Sequence, residues 1–265
     1  MKSPQSALSP NGDTICFVGV EPEPGPAPSV RCTVVSCSDS SRPERSEVLP
    51  GTEGALSPCA GYAPGGKLFV AYVTGGDDAD WRLNVTHDPF GGNPPPGMSF
   101  TERIDGLQLT ANSGEIVVVL LRWEGGLYSV YAVHGSGEPP RLEHSVELSR
   151  PMADVVWRSH ARVALAGDVE QRGIAVWLEG KRSGIITCMA AVRRTGSEPS
   201  WADPFPVPEV TIGTQSEPEL WVEVEDGHGV ITWRTRQAGV LTREARIDLA
   251  RVVEARTVAA RCGCR

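Results

Sequence analysis

The sequence has three lysines, a 6% aromatic fraction and no long apolar run. Each shortage excludes something. Acidic residues outnumber basic ones and the formal net charge is −8. Neutralising a phosphate backbone needs clustered Lys and Arg, so nucleic acid is not an expected partner. The longest uninterrupted apolar stretch, Ile116–Leu121, is far too short to span a bilayer as a helix, so no membrane partner is expected. The first residues, Met1-Lys2-Ser3-Pro4-Gln5-Ser6-Ala7, contain no apolar segment of a secretory signal. The expectation is a cytoplasmic protein, with a secreted chain trimmed of its leader as the alternative. Twenty-two of the 25 basic residues are Arg, a bias expected of a bacterial genome's base composition.

Chemical signatures are also scarce. No His-x-His, His-Glu-x-x-His or spaced pair of Cys pairs marks a zinc site. No Gly-x-Ser-x-Gly elbow, P-loop or dinucleotide fingerprint occurs. No cofactor or metal is therefore expected. The seven cysteines are odd in number. Cys16, Cys32 and Cys188 fall in apolar strand patterns and read as small buried residues of a reducing compartment. Cys262 and Cys264 form a close pair at the tail, half of a zinc site at most. Asn84-Val85-Thr86 is a glycosylation sequon, without meaning unless the chain is secreted.

What the chain does have is a repeat. A Gly precedes an apolar run five times, at Gly12, Gly66, Gly114, Gly173 and Gly229, a period of roughly 50 residues. Gly (29) and Pro (22) are abundant, as suits many short strands joined by tight turns. Each repeat parses into four strands, A to D. Within the B strands, the stretches Phe69–Val73, Ile116–Leu121 and Ile174–Trp177 are continuously apolar, the mark of a strand buried on both faces. The expected fold is all-β, a five-bladed β-propeller of four-stranded antiparallel blades. The expected blades span about 1–53, 54–105, 106–155, 156–213 and 214–265 of a single domain. Residues 243–261 stay open between the last strand, Val253–Arg261, and a C-terminal helix.

Residues 196–206 read Gly-Ser-Glu-Pro-Ser-Trp-Ala-Asp-Pro-Phe-Pro. They resemble the outer-strand Gly-x-x-Trp-x-x-Pro segment of sialidase-like (BNR-type) propellers and propeller lectins. The aromatic ends of B strands, Trp123, Trp177 and Trp233, are weaker echoes. The Asp box Ser-x-Asp-x-Gly-x-x-Trp and the Phe/Tyr-Arg-Ile-Pro arginine motif of that family are missing. The resemblance thus implies a fold and no catalytic residues.

A propeller presents its D–A and B–C loops at one mouth. The D–A loops contribute Glu53, Asp105, Asp154, Gln215 and Glu217; the B–C loops contribute Glu21, Glu23, Asp77, Asp78, Asp80, Glu124 and Glu179. Converging carboxylates can hold a cation, accept hydrogen bonds from sugar hydroxyls, or act as acid and base. They are equally ordinary solvated turn residues. Strict alternation puts Arg158, His160 and Arg162 on one face, and Glu217, Glu219 and Trp221 on one face. These sets predict a pocket for a polar small molecule or glycan; interblade salt bridges are the competing reading. Trp81 and Trp157, near loop ends, are candidates for stacking on a sugar. Trp177 and Trp233 read as core.

The expected function is binding of a carbohydrate or another polar ligand through Glu53, Trp81, Arg158, Arg162, Gln215, Glu219 and Trp221. The alternative is a propeller hydrolase with Asp105, His160 and Glu217 as acid/base groups; a protein–protein scaffold is a third reading. A lectin predicts similar sites in several blades. An enzyme predicts one asymmetric site.

Overall fold

The computed structural model describes residues 5–21, 27–39, 43–75, 80–91, 96–112, 114–150, 152–166, 172–194, 200–212, 219–236 and 240–254. Five antiparallel sheets follow one another along the chain, and the fold is a five-bladed β-propeller.

Blade one holds β1 (Gln5–Leu8), β2 (Thr14–Glu21), β3 (Ser29–Ser36) and β4 (Pro43–Val48). Blade two holds β5 (Leu56–Tyr62), β6 (Leu68–Thr74), β7 (Trp81–His87) and β8 (Met98–Phe100). Blade three holds β9 (Ile104–Ala111), β10 (Glu115–Glu124), β11 (Leu127–Ser136) and β12 (Arg141–Glu147). Blade four holds β13 (Val155–Leu165), β14 (Gly173–Lys181), β15 (Ile186–Arg194), a two-residue β16 (Ser200–Trp201) and β17 (Phe205–Ile212). Blade five holds β18 (Glu219–Glu225), β19 (His228–Arg236) and β20 (Val240–Asp248). In each blade the strands pair in sequence order, apart from β16 and β17, which both pair β15.

Several expected boundaries move. Asp105, placed in a loop by the sequence, lies inside β9, because the outer strand of blade two ends at Phe100. Glu179, also placed in a loop, lies inside β14. Residues 249–254 form a helical turn, α1, so the expected last strand is helical at Val253. Its remainder falls outside the described residues, as do Cys262 and Cys264. The chain divides into two compact units, one of Met1–Trp123 with Val133–Ser145, the other of Glu124–Ala132 with Val146–Arg265.

In the first unit, Cys16, Val18, Val30, Cys32, Leu49, Ala55, Ala60, Val70 and Tyr72 make one core between blades one and two. The thiols of Cys16 and Cys32 touch at 3.4 Å. This contact, reinforced by burial, holds the Cys16 proton far above the usual thiol range. Asn84, the sequon residue, is buried, with its amide donating to Thr74. In the second unit, blades four and five share a core that runs from Ile174 and Leu178 to Trp233 and Leu249. Trp177 and Trp233 are core residues, as expected.

The repeated glycine does not serve one purpose. Gly12 and Gly66 have positive φ in A–B turns, where a left-handed backbone is needed. Gly229 lies within β19, where a Cβ would come 2.7 Å from Ile174 Cδ1 and 3.2 Å from Leu249 Cδ2. In blade five the left-handed turn is made by Asp226 and Gly227 instead.

Candidate functional site

The same irregularity sits in strand A of blades two, three and four. The register of β5 on β6 shifts between Leu56 and Cys59, leaving Ser57 and Pro58 opposite Tyr72 alone. In β9, Gly106 and Leu107 oppose Leu120. In β13, His160 and Ala161 oppose Trp177. The first residue of each pair is left-handed: φ is +50° at Ser57, +59° at Gly106 and +53° at His160. This is a β-bulge with a left-handed first residue, a position that glycine fills without cost. Ser57 and His160 occupy it at a steric cost of about 1–2 kcal/mol each. The three facing residues are at most 1% exposed, so large buried side chains of strand B back each bulge.

In the first unit, the bulges of blades two and three meet at Asp105. Its Oδ1 accepts from Ser57 Oγ at 2.9 Å and from the Gly106 amide at 2.8 Å. Arg103 is 3.7 Å from Oδ2 but 60% exposed, so that attraction is largely screened. Glu53 is exposed just ahead of β5. Tyr72, behind the Ser57 bulge, has its phenol pushed up to about 12 by burial, with the Glu53 charge adding to the effect. Trp81 opens β7 half-buried and lies against the Gly75 backbone.

In the second unit, the β13 bulge breaks the expected alternation, so Arg158, His160 and Arg162 do not share a face. Arg158 is buried. It donates to Glu179 Oε1 at 2.8 Å, to the Tyr128 carbonyl at 3.1 Å and to the Arg150 carbonyl at 2.6 Å. Trp177 Nε1 donates to the same Glu179 oxygen at 3.1 Å. The salt bridge with Glu179 lies within blade four, and the bond to the Tyr128 carbonyl ties Arg158 to blade three. Arg162 donates to the Leu220 carbonyl of blade five at 3.0 Å. His160 Nδ1 lies 2.7 Å from Ser159 Oγ. Burial, with the Arg162 charge as the lesser cause, lowers the proton affinity of His160 below the usual imidazole range. The ring is thus neutral at pH 7.

In blade five the alternation holds. Leu220, Val222 and Val224 turn towards the core, and Glu219 and Trp221 turn outward together. Arg234 joins them, 3.4 Å from Glu219 and stacked 5.5 Å over Trp221. Trp157 lies across Gly180, its strand partner. Glu217 and Gln215 fall outside the described residues. No cluster of potential metal ligands occurs among the described residues.

The sequence reading missed the bulges. Their only signature is a polar or glycine residue recurring in strand A at 57, 106 and 160, the period of the repeat itself.

No protein-family model matches the chain, and no curated protein matches its sequence. Solved structures do match. The fold is that of known β-propeller hydrolases. An α-L-arabinanase from Penicillium chrysogenum, complexed with arabinobiose, superposes with a TM-score of 0.57 at 14% identity, over 92% of this chain and 80% of its own. An endo-arabinase from Bacteroides thetaiotaomicron gives 0.50 at 10% identity, over 93% of this chain and 94% of its own. A Hadza microbial sialidase gives 0.50 at 10% identity, over 88% of this chain but 52% of its own. At these identities the likeness is one of fold alone.

Proposed function

We propose that this protein is a carbohydrate-active propeller and that it hydrolyses a glycosidic bond rather than merely holding a glycan. The observation that carries the reading is the inequality of the three bulges. Equivalent positions hold Leu56-Ser57, Asp105-Gly106 and Ser159-His160. A lectin with one site per blade needs similar groups at each. Among these three bulges, that of blade three presents a carboxylate, and a hydroxyl from the preceding blade orients it. The fold likeness to the two arabinan-acting enzymes supports the same class.

In this reading, water adds across the glycosidic bond. Its hydroxyl goes to the anomeric carbon and its proton goes to Asp105. The leaving oxygen takes a proton from a second carboxyl group. Glu53, exposed just ahead of β5 in the same unit, is the proton donor in this reading. The bonds from Ser57 and Gly106 fix the direction of the Asp105 carboxylate, which is the positioning that acid/base catalysis requires.

The test is release of reducing sugar from arabinan, arabinoxylan and sialyllactose. Wild-type protein is expected to act on at least one, and Asp105→Asn to lose about a hundredfold or more of that rate with its fold intact by circular dichroism. Binding of the same glycans without turnover would replace the hydrolase by a binding module.

A further inference from the structure

The first unit has a second polar concavity at the other end of strands β5 and β9 from Asp105. It is a cleft of about 450 Å³ lined by the A–B turns of blades two and three and the C–D turn of blade three. A volume of this size suits a small ligand. Its wall carries Lys67, Phe69, Asn112, Glu115 and Glu138.

Asn112 is the argument for a ligand. Its Oδ1 accepts from the amides of Gly114 at 3.1 Å and Glu115 at 2.9 Å, which fixes which end of the amide is oxygen. The side chain is 94% buried, and Nδ2 has no hydrogen-bond partner. Buried polar groups are satisfied in nearly all folded proteins, so an orphaned donor on a residue that lines the cleft calls for an acceptor beside it. His87 Nδ1 is a second buried atom without a partner, on a ring close enough for its charge to act on Glu138.

The other groups define that acceptor. Glu115 is held by a 2.8 Å contact with the buried His134. Lys67 Nζ meets Glu138 Oε1 at 2.6 Å. The lining therefore alternates donors (Asn112 Nδ2, Lys67 Nζ) with acceptors (two carboxylates). A phosphate or carboxylate would face both glutamates. A hydroxyl both donates and accepts, so vicinal hydroxyls answer the whole set. We propose that this cleft binds a neutral polyhydroxylated ligand, a sugar residue, at a site separate from Asp105. The proposal stands without the hydrolase reading.

Its test is titration of the full chain with neutral mono- and disaccharides (arabinose, arabinobiose, xylose, galactose), with phosphate and putrescine as competing chemistries, followed by amide NMR. A neutral sugar is expected to shift the Asn112, Gly114 and Glu138 signals saturably. Asn112→Ala removes the orphaned donor but also loosens its turn, so a blocking variant is the sharper probe. Gly114 has ordinary φ, and a Cβ there would meet nothing within 4 Å; Gly114→Leu fills the cleft without backbone strain. Gly114→Leu is expected to weaken sugar binding by about tenfold or more. The sugar-dependent shifts of the Asn112, Gly114 and Glu138 signals are expected to persist in Asp105→Asn, which lies outside the cleft lining. No shift with any sugar, a response to phosphate or putrescine instead, or equal affinity in Gly114→Leu would overturn the proposal.

Discussion

Removing Arg158 strands Glu179 as a charge that is 1% exposed, with one oxygen already lacking a partner. It also leaves the Tyr128 and Arg150 carbonyls without their donor. Arg158→Met is therefore expected to destabilise the protein by about 3–5 kcal/mol, read from the urea midpoint. Arg45 and Glu47 form an equally short pair at 2.8 Å, but with side chains 47% and 50% exposed, and Arg45→Met, whose side chain can still cover Phe90, should move that midpoint far less. Distance alone does not separate these two pairs; burial does. Residue identity on a blade edge says little about which arginine is enclosed, so the sequence reading assigned Arg158 to a ligand. His160 titrates in the opposite sense to a salt-bridged histidine. Its folded-state affinity for a proton lies below the ordinary 6.5. The unfolded chain thus binds more protons as pH falls through that value. Its contribution to stability is complete above about pH 6.5 and is lost below it. Asn tolerates a left-handed backbone, so His160→Asn is expected to fold and to flatten the stability–pH curve below about pH 6.5.

Strands, unlike single side chains, were well announced. The continuous apolar stretches of β6, β10 and β14 were read as buried on both faces, and nearly every residue in them is. The A strands were legible in extent but not in register, because a bulge changes no residue's polarity. Alternation from Arg158 to Arg162 therefore failed where alternation from Glu219 to Trp221 held. The bulges make a prediction of their own. Gly106 combines φ +59° with a Cβ position 2.8 Å from Leu121 Cδ1. Gly106→Ala is expected to cost about 1–3 kcal/mol through strain and overpacking, and to lower turnover by moving the amide that holds Asp105. Gly229→Ala, in a strand of blade five that makes no bond to Asp105, should cost a similar amount through Ile174 and Leu249 and, in the hydrolase reading, leave turnover unchanged.

Across the whole molecule, protection runs inward from the outer strands. β4 and β12 are almost wholly exposed and carry charges and a proline, which discourages pairing with other chains. Hydrogen exchange is expected to be fastest in β4 and β12 and slowest in β6, β10 and β14. A uniform rate across a blade would contradict the gradient of burial. The period of the repeat made this architecture readable at first sight, while the cleft beside Asn112 was not, since its members come from three turns far apart in sequence. The apolar centre of β10 has a last consequence. Ile116–Leu121 is a six-residue run without charge, rich in β-branched side chains, and wholly hidden while the blade is closed. Once freed, it has the composition of a fibril-forming segment, with only Glu115 and Arg122 as gatekeepers at its ends. Heating should therefore end in precipitation rather than in a reversible transition, and the shelf life of this protein will be set by how rarely blade three opens.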